Sequence, residues 1–154
     1  MRIAVYGSSL LSSRWEEKKL PPNARRMGHV PTRDQNAFNA TPLAVLSVAG
    51  DDAAQLGYVP SARVFEAAGA GACLISDAWK GIELFFEPGR EVLVARDEND
   101  VVEHLQHLTP AAARLIGQRA RARILSQHTY VRRAAEVHQM LTEALLAKRH
   151  KSAA

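Results

Sequence analysis

The chain has one cysteine in 154 residues, which removes any internal disulfide framework. That residue, Cys73, sits inside an apolar run, where thiols are usually inert core. No apolar run approaches the roughly 18 residues needed to span a bilayer. The opening, MRIAVYGSSLLSSRW, makes a poor signal peptide: its apolar run is very short, and the Ile3/Val5 alternation reads as a first strand. A cytoplasmic location is the expectation. The six histidines lack metal spacing. His104 and His107 stand at i, i+3 with no nearby Cys partner, and Asp51-Asp52 reads as a solvated loop pair. No G-x-G-x-x-G follows a strand. Gly69 and Gly71 close a helix rather than open one, and Tyr6-Gly7-Ser8-Ser9 lacks the second and third glycines, so an ordinary NAD site is not expected. No metal and no cofactor are expected.

What is present suits one globular domain. Apolar residues make up 47% and charged residues 23%. The expected domain covers 1–147, with 148–154 a frayed tail. The net charge of +4 is uneven: residues 110–151 hold nine basic and two acidic side chains. Such a segment can meet nucleic acid, an anionic membrane surface or a phosphate, or simply be a solvated helix face. No aromatic residue interleaves Arg114–Arg123, which counts against nucleic acid.

Taken in order, Arg2–Tyr6 alternates as a strand. Residues 8–27 read as a loop, and His29–Pro31 as a short second strand. Thr32 caps a short helix to Ala40. Leu43–Ala49 is a continuous apolar run that suits a strand buried on both faces. A polar loop leads to Pro60-Ser61, a helix start, and the helix runs to Ala70. Ala72–Ser76 is a second buried strand. Gly81–Phe86 is a short helix, Glu91–Ala95 a strand, and Asn99–Leu108 a helix. Thr109-Pro110 is an N-cap followed by proline at the first helical position, opening a helix to Gln127. Thr129 starts the last helix, with Ala134, Val137, Leu141, Ala144 and Leu145 as its apolar stripe. Strands alternating with helices give an α/β fold: a Rossmann-like parallel sheet of about five strands with helices on both faces.

Ligands of such sheets sit outside the carboxyl ends of the strands, here after Tyr6, Val30, Ala49, Ser76 and Ala95. The helix start at Ser61 offers free N–H groups to a phosphate, and Arg63 stands in its first turn. The alternative is a plain cap with a solvated arginine. Glu66 is the one charge in Val64–Ser76. A lone carboxylate in an apolar run needs a reason, since burying it unpaired is costly. Facing a ligand pocket, it can accept both hydroxyls of a ribose; the alternative is an ion pair with Arg63. His29 stands near a strand end and can line the same pocket.

The stretch from Pro60 onward resembles the C-terminal domain of GT-B-type glycosyltransferases, closest to the spore-maturation-protein-like (CgeB-type), group 1-like family. The residues that carry it are Arg63, Phe65-Glu66-Ala67, Gly71–Asp77, Gly81-Ile82-Glu83, Pro88-Gly89-Arg90-Glu91 and the Ala122–Tyr130 segment with Arg132 and Arg133. The resemblance implies a donor site for a nucleotide-diphosphate sugar and metal-independent transfer. It puts Glu66 on the ribose, Ser61 and Arg63 on the diphosphate, and His29–Pro31, with Val30, beside the base; Gly7, at the end of the first strand, is a further expected nucleotide-sugar-binding residue. It departs at Tyr58, where retaining relatives have the first glutamate of E-x7-E, and at Ser47 and Gly50, which replace Asn and Arg. The acceptor domain of such enzymes precedes this one, so a fragment, a partner subunit or a binding-only domain is expected. A non-catalytic module binding nucleotide or protein is the alternative.

Overall fold

A computed structural model describes residues 3–5, 19–48 and 60–152. The chain divides into two compact units, Met1–Phe38 and Asn39–Ala154. In the first, β1 (Ile3–Val5) pairs in parallel with β2 (Ala24–Arg26), Ile3 opposite Ala24. A 3-10 turn at Thr32–Asp34 leads into α1 (Gln35–Ala40). Two expectations change here. The second strand lies at Ala24–Arg26, within the stretch read as loop, and His29–Pro31 is not a strand. Pro31, not Thr32, holds the cap position, and it makes no side-chain cap.

The second unit is built on β3 (Val45–Ser47), β4 (Leu74–Asp77) and β5 (Leu93–Ala95), all parallel, with β4 in the middle. Helix α2 (Ala62–Gly69) connects β3 to β4. After β5 come α3 (Glu98–His107), α4 (Pro110–Gln127) and α5 (Tyr130–Ser152). The fold is the expected α/β class with parallel strands, paired as two and three.

Alternation along the strands separates two apolar clusters. Leu74 and Val92 join Val64, Ala67 and Ala68 of α2, with Ala120 and Ile124 of α4. Cys73 and Leu93 join Ala113 and Ile116 of the same α4, and Leu108. Successive strand side chains point to opposite faces, so the sheet is covered on both sides. Leu74, Ile75 and Ser76 are all buried, as a central strand requires. β3 is different: Val45 and Ser47 are buried, while Leu46 is 52% exposed. It is an edge of its three-stranded sheet, so the expectation of burial on both faces does not hold there.

Local chemistry sets the helix ends. Asp97 caps α3, accepting from the Asn99 and Asp100 amides at 2.9 and 3.0 Å. Thr109 caps α4, accepting from Ala112 at 3.2 Å, with Pro110 in the first turn. At the end of α2, the Gly71 amide donates to the Ala68 carbonyl and the Ala72 amide to the Ala67 carbonyl, with Gly71 at φ +80°. This is a Schellman close, and the left-handed residue turns the chain straight into β4.

Along helix α5 the stripe residues Val137, Leu141 and Leu145 are 54–60% exposed. The helix continues through Ser152. Among the described residues no helix is long and apolar enough to cross a membrane.

Candidate functional site

Helix α2 joins two parallel strands and packs on their sheet, so it runs opposite to them. Its N-terminus therefore lies at the carboxyl edge of the sheet, beside the ends of β3 and β4. Ser61 is the N-cap, as its sequence position implies. Its hydroxyl accepts from the Arg63 amide at a long 3.4 Å. The remaining first-turn amides carry the positive end of the helix dipole.

Helical spacing sorts the side chains of α2. Val64, Ala67 and Ala68 point into the core, each at most 2% exposed. Arg63 and Glu66, three residues apart, share the exposed face. Glu66 is thus not a buried charge in an apolar run, and the inference that burial demands a partner for it is corrected. Its apolar neighbours are buried because they occupy other angles of the helix. Arg63 and Glu66 do not pair with each other, and among the described residues neither side chain has a partner.

Behind this helix start, the end of β4 carries a polar group. The buried Trp79 indole donates to the Ser76 hydroxyl at 3.2 Å, and that hydroxyl donates to Asp77 at 3.4 Å. Next to it an open depression of about 330 Å³ is lined by residues including Trp79, Lys80, Ile82, Glu83, Pro88 and Val94. Ser61, Arg63 and Glu66 do not line it. Sequence reading missed this depression, although a tryptophan two residues past a strand end was a usable signal. Among the described residues no three His, Cys, Asp or Glu side chains gather as metal ligands.

Pro88, which lines the depression, belongs to a hydrogen-bonded turn. Arg123 of α4 donates through Nε to both oxygens of Glu91, at 3.0 and 3.2 Å. Glu91 also accepts from the Glu87 amide at 2.8 Å, and Arg90 donates to Glu87 at 3.0 Å. The segment Glu87–Glu91 is held on itself and against α4.

The glycosyl transferase-like family matches residues 1–139. The chain belongs to that family. Its fold is also that of solved GT-B glycosyltransferases. Sucrose-phosphate synthase from Thermosynechococcus elongatus superposes with a TM-score of 0.66 at 18% identity, over 81% of this chain and 31% of that one. TarM superposes with a TM-score of 0.64 at 17% identity, over 92% of this chain and 28% of that one. The chain therefore spans about a third or less of either structure. No curated protein matches it in sequence.

The glycosyl transferase-like match takes in both compact units. His29 is exposed and Val30 half-buried in the first unit. Ser61, Arg63 and Glu66 come together on one helix of the second. Gly7 lies outside the described residues, as do Tyr58, Gly50 and the strand-end residues Tyr6 and Ala49. Ser47 is described: it ends β3, buried, in register with Ser76.

Proposed function

We propose that this glycosyl transferase-like chain binds a nucleotide-diphosphate sugar, as the donor-binding half of a two-domain, metal-independent glycosyltransferase of the CgeB type. The observation that carries the reading is the exposed face of α2, where a capped helix start, Arg63 and Glu66 meet at the carboxyl edge of a parallel sheet. The first-turn amides and the Arg63 guanidinium suit the diphosphate. Their positive charge also suits the leaving group, on which negative charge grows as the glycosidic bond breaks. That is the service a metal ion gives elsewhere. Glu66, an acceptor-only group one turn further on, suits the two ribose hydroxyls. In the same reading His29 and Val30 bind on the base side, and Gly7 is a further nucleotide-sugar-binding residue. The acceptor site belongs to a second domain or subunit, and a cytoplasmic setting goes with a soluble nucleotide-sugar donor.

A second reading, a non-catalytic nucleotide-binding module, is favoured by one observation. Ser47, which stands where the resemblance has Asn, ends β3 as a short buried hydroxyl in register with Ser76, so the longer amide of an Asn is missing there. Isothermal titration of the full chain with UDP and GDP separates both readings from their failure: saturable binding of either is expected, and none overturns the donor site. Turnover of a bound UDP- or GDP-sugar, measured with the acceptor domain or subunit supplied, then marks an enzyme, and binding without turnover in that assembly marks a module.

A further inference from the structure

Where α4 ends and α5 begins, one histidine closes the joint. The His128 amide donates to the Ile124 carbonyl at 2.9 Å, which makes it the last residue tied to α4. Its ring lies against Phe65 of α2 and against Phe85, with centroids 5.9 and 5.4 Å away. Arg133, one turn into α5, reaches back with its guanidinium to 2.7 Å from His128 Nδ1. An arginine can only donate, so Nδ1 is the acceptor and the imidazole proton sits on Nε2. Nε2 is buried and makes no hydrogen bond of good geometry among the described residues, the Phe85 backbone acting on the ring only weakly.

This arrangement favours the neutral ring. A proton on Nδ1 removes the acceptor and sets two cations at hydrogen-bond distance. Arg123 adds a further positive charge from α4, although Glu91 pairs with it. The acidic group facing the joint from α5 is Glu136, already engaged with Arg133 at 2.8 Å. The ring cannot turn to another acceptor without leaving Phe65 and Phe85. Beyond this joint, residues Tyr130–Arg149 of α5 are exposed. The contact of His128 with Arg133 is therefore a side-chain tie between the start of α5 and the body of its unit, beside the Thr129 hydroxyl and carbonyl that accept from the Arg132 and Arg133 amides.

We propose that His128 is a pH-sensitive latch, which in its neutral form holds the first turns of α5 through Arg133 and which releases them on protonation. Burial, then the charges of Arg133 and Arg123, lower its pKa below the ordinary 6.5, against weaker opposing effects of the Phe85 backbone and Glu136. The latch is thus closed at neutral pH and opens as pH falls below 6.5.

Hydrogen exchange of the full chain between pH 7.5 and 5.5, corrected for intrinsic rates, reads the latch directly. Amides of Arg133–Val137 are expected to lose protection several-fold on acidification, while those of Ile116–Ile124 in α4 keep theirs. In H128Q, whose amide oxygen can still accept from Arg133 but does not titrate, the Arg133–Val137 protection is expected to be flat with pH. Equal pH profiles in wild type and H128Q overturn the proposal. Nitrogen-15 NMR of the wild-type ring tests it without any variant. A proton on Nε2 at pH 7.5 and titration below 6.5 are expected; a proton on Nδ1, or a pKa at or above 6.5, overturns it.

Discussion

Gly117 of α4 stands with its Cα pressed against the backbone of Gly71. A Cβ at position 117 would overlap the Gly71 carbonyl oxygen, 2.8 Å from that residue's carbonyl carbon and 3.0 Å from that of Ala72. The obstacle is backbone, not the end of a flexible side chain, so the whole α2–β4 turn would have to move. Because Gly71 itself holds φ +80° to close α2, the turn has little freedom to yield.

Gly117→Ala should therefore destabilise the fold. Overpacking costs about 1–3 kcal/mol, against about 1 kcal/mol gained from the better helix former. Urea unfolding should show a lower midpoint with an unchanged slope. An equal or higher midpoint would mean that the turn gives way, and that the close approach of α4 is not fixed by this glycine.

The Arg123–Glu91 pair should count for more than an ordinary surface ion pair. Both Glu91 oxygens are engaged, and the side chains are only 31% and 12% exposed. Arg123→Leu is expected to cost about 1.5–3 kcal/mol, the range for hydrogen bonds to charged groups. A double-mutant cycle with Glu91→Gln should return a coupling above about 0.5 kcal/mol, the usual worth of an exposed pair. Additive losses would show that the turn holds itself through Arg90 and Glu87 alone.

Much of this architecture was readable in order along the chain, because capping is local. Thr109-Pro110 and Ser61 announce their helices by chemistry within three residues, and both helices begin there. β2 was not readable: Ala24–Arg26 has no apolar alternation, and its extension is set by backbone pairing with Ile3–Val5, some twenty residues earlier. The partner of Glu91 lies 32 residues away on another element, which no local pattern encodes. The stripe of α5 shows the limit of periodicity. Val137, Leu141 and Leu145 do share a face, but a period says that a face exists and not what covers it. Glu66 shows the same limit from the other side: composition made its neighbourhood look buried, and helix angle placed it outside.

Cys73 should be inert in the folded protein. It is 3% exposed, and burial pushes its thiol up from 9.0 to about 11. A thiol with a raised folded pKa adds stability that is fully present below 9.0 and is lost as pH rises toward 11. At pH 8, a disulfide reagent such as DTNB should label the native chain no faster than the chain unfolds, and label it at once in denaturant. Fast native labelling would show an open route to β4 that the packing does not provide.

The exposed face of α2 allows binding to be separated from folding. Arg63 and Glu66 have no side-chain partners among the described residues, so Arg63→Ala and Glu66→Ala should each change stability by less than about 0.5 kcal/mol. Their effects on nucleotide binding should differ in kind. If Glu66 accepts the ribose hydroxyls, wild type should prefer a ribonucleoside diphosphate over its 2′-deoxy form by about ten- to a hundredfold, since a hydrogen bond to a charged group contributes about 1.5–3 kcal/mol. Glu66→Ala should erase that preference while weakening both ligands. Arg63→Ala should keep the ribose preference and lose discrimination between diphosphate and monophosphate. The two ratios read the two contacts independently of overall affinity. A ribose preference that survives Glu66→Ala would remove the carboxylate from the sugar and leave α2 as a phosphate-facing helix only.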